Sequence, residues 1–173
     1  MSKTLVLGGA RSGKSAHAES LMGTDTLYLA TARRIPGDTE WDARIATHTA
    51  RRPSTWDTLE TPDTTSLTTA IETATKPLLI DDIATWLTNA MDDANAWTSP
   101  HPDLAPATTA LVAAVSRCPA PITVVSSEVG LGVIPQTRSG RLFRDELGAV
   151  NASLAQVCTQ VLLLVAGLPL RLK

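Results

Sequence analysis

The chain has 173 residues, and its 15 lysines and arginines against 17 aspartates and glutamates give a formal charge of −2. A balance so near neutral lacks the basic field of proteins that bind nucleic acid, so we expect no nucleic-acid partner. The length suits one domain spanning 1–173, and no apolar run reaches the length of a membrane span, which together predict a cytoplasmic location. Two distant cysteines, Cys118 and Cys158, have no metal-ligand spacing and are expected to be buried free thiols.

The clearest motif lies near the start of the chain. A short apolar strand leads into the pattern Gly-x-x-x-x-Gly-Lys-Ser, which is formed by Gly8, Gly9, Ala10, Arg11, Ser12, Gly13, Lys14 and Ser15. The glycines let successive backbone N–H groups face a phosphate, and Lys14 adds positive charge for the β- and γ-phosphates. The hydroxyl of Ser15 is a suitable ligand for Mg²⁺. The motif therefore predicts binding of a nucleoside triphosphate at the start of a helix.

A helix and a second strand are predicted directly after this loop. Residues 15–22 have a helical pattern whose apolar face includes Leu21, and residues 26–32 are apolar and rich in strand formers. Together they complete a βαβ unit, in which the two strands are parallel and the crossover is right-handed. Arg33 and Arg34 follow at the carboxyl end of the second strand, where ligands bind in such sheets. A solvated loop and a contact with phosphate or base are equally good interpretations of this pair.

A second helix pattern covers 38–49 and contains a histidine among basic residues. One face of this helix carries Trp41, Arg44, Ile45 and His48. From the pattern alone His48 is an ordinary surface or core residue, although the neighbouring arginines would lower its pKa and keep it neutral, as a nucleophile requires. The alternating segment from Trp56 to Glu60 is predicted to be an edge strand or an extended loop.

The next helix and strand end in a second feature typical of phosphate-loop enzymes. Residues 66–74 have a helical pattern, and the apolar strand 78–80 runs into Asp81 and Asp82. In this class of enzyme an acid at the end of such a strand faces Mg²⁺ and the phosphates. The pleat of the strand decides which aspartate does so, and the sequence leaves that open.

The second half of the chain continues the alternation of helices and strands. The remaining predicted elements are helix 86–91, an exposed polar loop 92–106, helix 107–116, strand 122–127, a glycine-rich loop 128–135, helix 138–158, strand 161–166 and an edge strand within 167–173. Arg138, Arg141 and Arg144 near the start of the long helix are expected to be solvated, with a phosphate-binding cluster as the lesser alternative. The whole pattern predicts an α/β fold with a mostly parallel sheet of about five strands and helices on both faces.

Several stretches beyond the phosphate loop carry a resemblance to a known family. They are Tyr28-Leu29-Ala30-Thr31-Ala32, Arg44-Ile45-x-x-His48-x-x-x-Arg52-Pro53, Trp86-Leu87-Thr88-Asn89, Ser127 to Pro135, Phe143-Arg144-Asp145 and Val165 to Leu170. In this order they resemble the bifunctional adenosylcobinamide kinase/adenosylcobinamide-phosphate guanylyltransferases of cobalamin biosynthesis, over essentially the whole chain. The resemblance implies a RecA-like P-loop NTPase fold and a homo-oligomer, namely a trimer.

The resemblance also implies two reactions. The family phosphorylates the aminopropanol hydroxyl of adenosylcobinamide with ATP or GTP, and then transfers GMP from GTP to that phosphate, giving adenosylcobinamide-GDP and pyrophosphate. The GMP is carried on a histidine, and His48 is the matching position, with Lys14 and Mg²⁺ neutralising the pyrophosphate.

Other site residues follow from the same resemblance. The implied nucleotide contacts are the phosphate loop together with Thr31, Ala32, Arg33, Thr49, Ala50, Arg51, Arg52, Glu60 and Asp81, and the implied Mg²⁺ ligands are Ser15 and Asp81. At Glu60, a carboxylate accepting from the guanine N1–H and N2 amine would explain a preference for GTP.

Two further classes of function remain as alternatives. Another small-metabolite kinase with the same loop would form no phosphoramidate on His48. A non-enzymatic nucleotide switch is the third hypothesis, although the sequence has no charged tail or amphipathic docking segment to support it. The corrinoid-binding residues and the choice between ATP and GTP in the kinase step stay open.

Overall fold

The computed structural model describes residues 1–33, 37–39, 43, 46 and 52–173. The strands in these ranges are β1 (Lys3–Gly8), β2 (Leu27–Ala30), β3 (Asp57–Glu60), β4 (Leu78–Asp81), β5 (Ile122–Ser127), β6 (Gln160–Val165) and β7 (Leu168–Arg171). The helices are α1 (Lys14–Ser20), α2 (Thr64–Glu72), α3 (Ile83–Asp93), α4 (Ala105–Arg117) and α5 (Arg138–Val157).

The strands form one sheet in the order β3-β2-β4-β5-β1-β6-β7. Every pairing is parallel except that of β6 with β7, which is antiparallel. The strand that leads into the phosphate loop, β1, lies between β5 and β6, and five of its six residues are buried. The carboxyl ends of the parallel strands therefore meet at the edge of the sheet where β1 delivers the phosphate loop.

Alternation along the strands divides the core into two layers. Val6, Tyr28 and Leu79 face α1 and pack with its Ala18. The opposite face carries a larger cluster, which includes Leu5 and residues of α2, α3, α4 and α5. The predicted α/β fold, with a mostly parallel sheet and helices on both faces, is confirmed.

The structure corrects several details of the sequence interpretation. The sheet has seven strands within the described residues rather than about five. The two additional strands are at its edges, where β3 pairs with β2 and β7 pairs with β6. Helix α1 ends at Ser20, which leaves Leu21 46% exposed instead of on the apolar face. The segment 92–106 is not a wholly exposed loop, since Ala96 and Leu104 are buried under the helices. Because the sequence around Ala96 and Leu104 is rich in polar residues, the local pattern gives no sign that these two residues are buried.

The structure confirms the expectation for the two cysteines, whereas the helix predicted before Arg51 cannot be compared with it. Cys118 and Cys158 are both buried and free, as predicted. The helix predicted over 38–49 lies largely outside the described residues, and His48 with it. Within the ranges that the structure covers, no helix is both long and apolar enough to cross a membrane.

Candidate active site

The phosphate loop joins β1 to α1 through a tightly folded backbone. Gly13 precedes α1 with a left-handed backbone (φ 89°), a conformation that favours glycine. At Gly8 an added Cβ would lie 2.3 Å from Ser12 Oγ and 3.1 Å from the carbonyl oxygen of Leu164, so the loop has no room for a side chain there. The buried Ser12 Oγ has no hydrogen-bond partner among the described residues.

Asp81, at the end of β4, is the acid that faces the phosphate loop. Its Oδ1 accepts a hydrogen bond from Ser15 Oγ at 3.2 Å, and its Oδ2 accepts one from the Tyr28 hydroxyl at 2.9 Å. Asp82 has a different task, because its Oδ1 accepts from the backbone N–H and the hydroxyl of Thr85, both at 2.8 Å, and so caps α3. The peptide between the two aspartates is cis. The structure thus places Asp81 at the phosphate loop, in line with the family resemblance, whereas the strand pattern alone left the choice open.

The oxygen atoms of Ser15 and Asp81 fit a magnesium ion. Mg²⁺ prefers oxygen ligands at about 2.1 Å in octahedral geometry, so neighbouring ligands lie about 3 Å apart. The 3.2 Å between Ser15 Oγ and Asp81 Oδ1 is close to that spacing. No cluster of three or more acidic, histidine or cysteine side chains suitable for a metal occurs in the described part of the chain. Such a site would depend on phosphate oxygens for further ligands, as is usual for nucleotide-bound Mg²⁺.

The hydroxyl of Tyr28 is held in its protonated form. Burial raises the pKa of this phenol above its usual value, and the adjacent Asp81 carboxylate raises it further, while Arg52 opposes the shift. A protonated phenol donates rather than accepts its hydrogen bond, which is what the contact with Asp81 requires.

The end of β2 is fixed by side chains from α3 and its cap. Thr31 is fully buried, and its hydroxyl donates to the carbonyl oxygen of Asp82 at 2.8 Å. Asn89 Nδ2 donates to the carbonyl oxygens of Thr31 and Pro62. Arg33 Nη2 pairs with Asp93 at 2.6 Å, and its Nε donates to Pro62 O. Thr31 and Arg33 therefore make protein contacts here, and their nucleotide contacts, like that of the half-buried Ala32, stay predictions.

The basic segment after His48 enters the described residues at Arg52. Its guanidinium carbon lies 3.3 Å from the centroid of the Tyr28 ring, and its Nη1 donates to Thr58 Oγ1 at 3.3 Å. The Nε atom is buried without a hydrogen-bond partner among the described residues. Glu60 is exposed at the end of β3, beside the end of β2. The other predicted contacts of this segment, namely Thr49, Ala50 and Arg51, lie outside the described residues.

The turn between β6 and β7 contacts the phosphate loop. Ala166 and Gly167 both have positive φ, and the N–H of Gly167 donates to the carbonyl oxygen of Ser12 at 3.0 Å. A Cβ on Gly13 would lie 3.4 Å from the Cα of Gly167. The hairpin of β6 and β7 thus supports the phosphate loop. This contact gives a structural role to the segment from Val165 to Leu170, which is one of the stretches that carry the family resemblance.

The arginines at the start of α5 organise the preceding loops. Arg138 donates to the carbonyl oxygens of Trp97 and Ser99, and Arg141 donates to those of Pro135 and Gln136. Arg144 pairs with the exposed Asp145 on its own helix. These contacts give Arg138 and Arg141, which are exposed as expected, a structural role, and phosphate binding by the three arginines stays a prediction.

Three residues of the site escaped the sequence interpretation. Tyr28, Asn89 and Gly167 lie within the motifs that carry the family resemblance, but the sequence alone gives them no role. A signal existed for Tyr28, because alternation places it on the same sheet face as Leu79 and Asp81 once the β2–β4 register is known. That register is a long-range property, which the local pattern does not contain.

The fold and the phosphate site define a P-loop NTPase of the RecA-like class. In agreement, the structure is similar to an ATPase from a type III secretion system of pathogenic bacteria, with a TM-score of 0.52 and 13% identity over 94% of this chain and 50% of that one. A family model described as cobinamide kinase / cobinamide phosphate guanyltransferase matches residues 4–172. The chain belongs to that family.

Curated relatives match the chain over nearly its full length. The bifunctional adenosylcobalamin biosynthesis protein CobP of Pseudomonas aeruginosa is 41% identical over 99% of this chain and 97% of its own. The proteins named CobU from Escherichia coli and Salmonella typhimurium are each 38% identical, over 98% of both chains. The family that the sequence motifs resembled is therefore confirmed.

Proposed function

We propose that this chain phosphorylates the aminopropanol hydroxyl of adenosylcobinamide with ATP or GTP, and then transfers GMP from GTP to the new phosphate. The observation that carries this proposal is the meeting of Ser15 and Asp81 at 3.2 Å beside the phosphate loop. These two side chains would hold the metal ion of a phosphotransferase, in a chain that belongs to the family of both activities.

In the kinase step the chain's own residues hold the triphosphate. The backbone N–H groups of the loop and the start of α1 would bind the phosphates, and Lys14 would neutralise charge on the β- and γ-phosphates. Ser15 and Asp81 would hold Mg²⁺, which when bound stabilises the charge of the transferring phosphoryl group. The aminopropanol oxygen forms the new bond to the γ-phosphorus, the β–γ bridging P–O bond breaks to release the nucleoside diphosphate, and the hydroxyl proton passes to solvent.

In the second step His48 acts as the nucleophile. A neutral imidazole nitrogen attacks the α-phosphorus of GTP, a P–N bond forms, and the α–β bridging P–O bond breaks to release pyrophosphate. An oxygen of adenosylcobinamide phosphate then attacks the same phosphorus, the P–N bond breaks, and the imidazole is regenerated. Arg51 and Arg52 are proposed to hold the phosphates of GTP, and Glu60 its guanine.

The proposal is tested by labelling the protein with α-³²P-GTP and Mg²⁺ and separating it on a denaturing gel. We expect a label that acid removes and base does not, because phosphoramidates have that stability, and we expect none in His48→Ala. His101→Ala is the matched control, since His101 lies in an exposed bend without an assigned role. The contrary outcome is that the wild-type protein binds GTP and phosphorylates adenosylcobinamide but takes up no label. The protein would then be a kinase without guanylyltransferase activity.

We extend the proposal to the whole protein. Residues 1–173 would act as one nucleotide-binding domain, and the family resemblance supports a homotrimer. Light scattering of the purified chain measures its assembly state directly, and a monomeric mass would exclude the trimer. The cytoplasmic location and the lack of a nucleic-acid partner stay predictions from the sequence.

A further inference from the structure

We propose that Tyr28 is a positioning residue that serves two parts of the site at once. Its hydroxyl orients the carboxylate of Asp81, and its ring holds the guanidinium of Arg52, four residues after His48. The inference rests on the proposed function, because it concerns groups that would hold Mg²⁺ and GTP. Neither the phosphate-loop pattern nor the acid at the end of β4 includes this tyrosine.

The hydroxyl of Tyr28 constrains Asp81 without occupying the atom that faces the loop. Ser15 Oγ bonds to Oδ1 of the carboxylate, whereas Tyr28 bonds to Oδ2 at 2.9 Å. A ligand at Oδ1 therefore does not compete with the tyrosine. Since the Tyr28 side chain is only 2% exposed, its hydrogen bond is shielded from water, where such bonds to a charged group are strong.

The ring of Tyr28 gives Arg52 a fixed position. A cation over an aromatic face is attracted by the ring quadrupole, and the guanidinium carbon stands 3.3 Å from the centroid. Of the arginine's donors, Nη1 bonds to Thr58, but the buried Nε has no hydrogen-bond partner among the described residues. A buried N–H group without an acceptor raises the free energy of the folded protein, and a ligand that accepts its hydrogen bond would remove this cost. A phosphate oxygen is a suitable acceptor for a guanidinium group.

The two contacts are joined by one rigid side chain. Strand β2 pairs with β3 on one side and with β4 on the other, so the backbone of Tyr28 is held between Thr58 and Leu79. The phenol ring has no internal torsion between the face that holds Arg52 and the oxygen that holds Asp81. Tyr28 therefore sets the position of the arginine relative to the metal-binding acid.

The test measures binding of a fluorescent GTP analogue by the full chain as a function of Mg²⁺ concentration. Tyr28→Phe removes the hydroxyl and keeps the ring, so we expect the half-saturating Mg²⁺ concentration to rise about tenfold with little change in GTP affinity at saturating Mg²⁺. Tyr28→Leu also removes the ring, so we expect GTP affinity to fall as well. In an Arg52→Met background, Tyr28→Leu is expected to cause no further loss of GTP affinity.

Trp56→Phe is the matched control for a merely structural effect. Trp56 packs in the same core layer as Tyr28 and donates its indole N–H to the Gly23 carbonyl oxygen. The variant should lower thermal stability without shifting the Mg²⁺ dependence. Unchanged Mg²⁺ dependence in Tyr28→Phe, or equal shifts in Tyr28→Phe and Trp56→Phe, would overturn the proposal. This test measures binding and not guanylylation. The proposal for Tyr28 can therefore be judged even if the wild-type chain takes up no label from GTP.

Discussion

At the scale of single residues, the two adjacent aspartates after β4 have separate tasks. Asp81 faces Ser15 and Tyr28, while Asp82 turns to the first turn of α3. One acid is therefore available for chemistry and the other for capping. Identical side chains one position apart therefore make a matched pair for experiment.

We expect Asp81→Asn to lower the Mg²⁺-dependent kinase rate by about a hundredfold, because a neutral amide cannot stabilise the metal charge. Its unfolding free energy should also fall, by about 1 kcal/mol, because the amide offers one acceptor oxygen to the hydroxyls of Ser15 and Tyr28 where the carboxylate offers two. Asp82→Ala should leave the kinase rate nearly unchanged, although it removes the cap of α3 and costs about 1 kcal/mol of unfolding free energy. Kinase assays and urea denaturation on both variants check this. A larger loss of activity in Asp82→Ala would contradict the assignment.

At the scale of elements, helix α5 contains two glycines in different surroundings. A Cβ at Gly140 would lie 2.8 Å from Pro135 Cβ and 3.0 Å from Thr137 Oγ1, within the loop contacts at the start of the helix. Gly148 is exposed, and nothing lies within 4 Å of the corresponding position. The first glycine is required for close packing, whereas the second only weakens the helix.

Gly148→Ala is expected to stabilise the protein by about 0.5–1 kcal/mol, because alanine loses less backbone entropy than glycine in a helix. Gly140→Ala should destabilise it by about 1–3 kcal/mol through overpacking against Pro135 and Thr137. Midpoints of urea unfolding for the two variants give both values. Equal effects of the two substitutions would argue against the packing described for the start of α5.

At the scale of the whole molecule, several acidic groups are buried in their neutral form. Burial raises the pKa of the Cys158 thiol to about 11, and it also raises the pKa values of Cys118 and Tyr28. At neutral pH these groups are protonated in both the folded and the unfolded chain. Above a pH of about 9 the unfolded chain releases these protons more readily, so alkaline pH favours unfolding.

We therefore expect the unfolding free energy to fall between pH 9 and 11, with each such group contributing up to about 1.4 kcal/mol per pH unit. Cys158→Ala should begin less stable, since it leaves a cavity, but should lose stability less steeply over this interval. Urea denaturation at pH 8, 9 and 10 measures the slope. A slope unaffected by the substitution would show that Cys158 does not contribute to alkaline unfolding.

The sequence was most informative where function depends on local pattern. The phosphate loop, the strand that ends in acid and the alternation of helices and strands are all short-range features, and the structure confirms the fold that they predicted. What the local pattern could not supply comes from contacts between distant segments: the orientation of Asp81, to which only the family resemblance pointed, the role of Tyr28, and the contact of Gly167 with Ser12. Buried apolar residues among polar neighbours, such as Ala96, were also misread, because their burial comes from helices far along the chain.

The position of β1 has a consequence for how the protein is made. This strand is synthesised well before its two neighbours in the sheet, β5 and β6, which begin at Ile122 and Gln160. The hairpin turn that supports the phosphate loop, at Gly167, is synthesised later still. A nascent chain therefore contains its nucleotide motif before the neighbouring strands of β1 and the supporting turn exist. We expect stable nucleotide binding only after residues 160–171 have emerged, so that the triphosphate would not guide the early steps of folding.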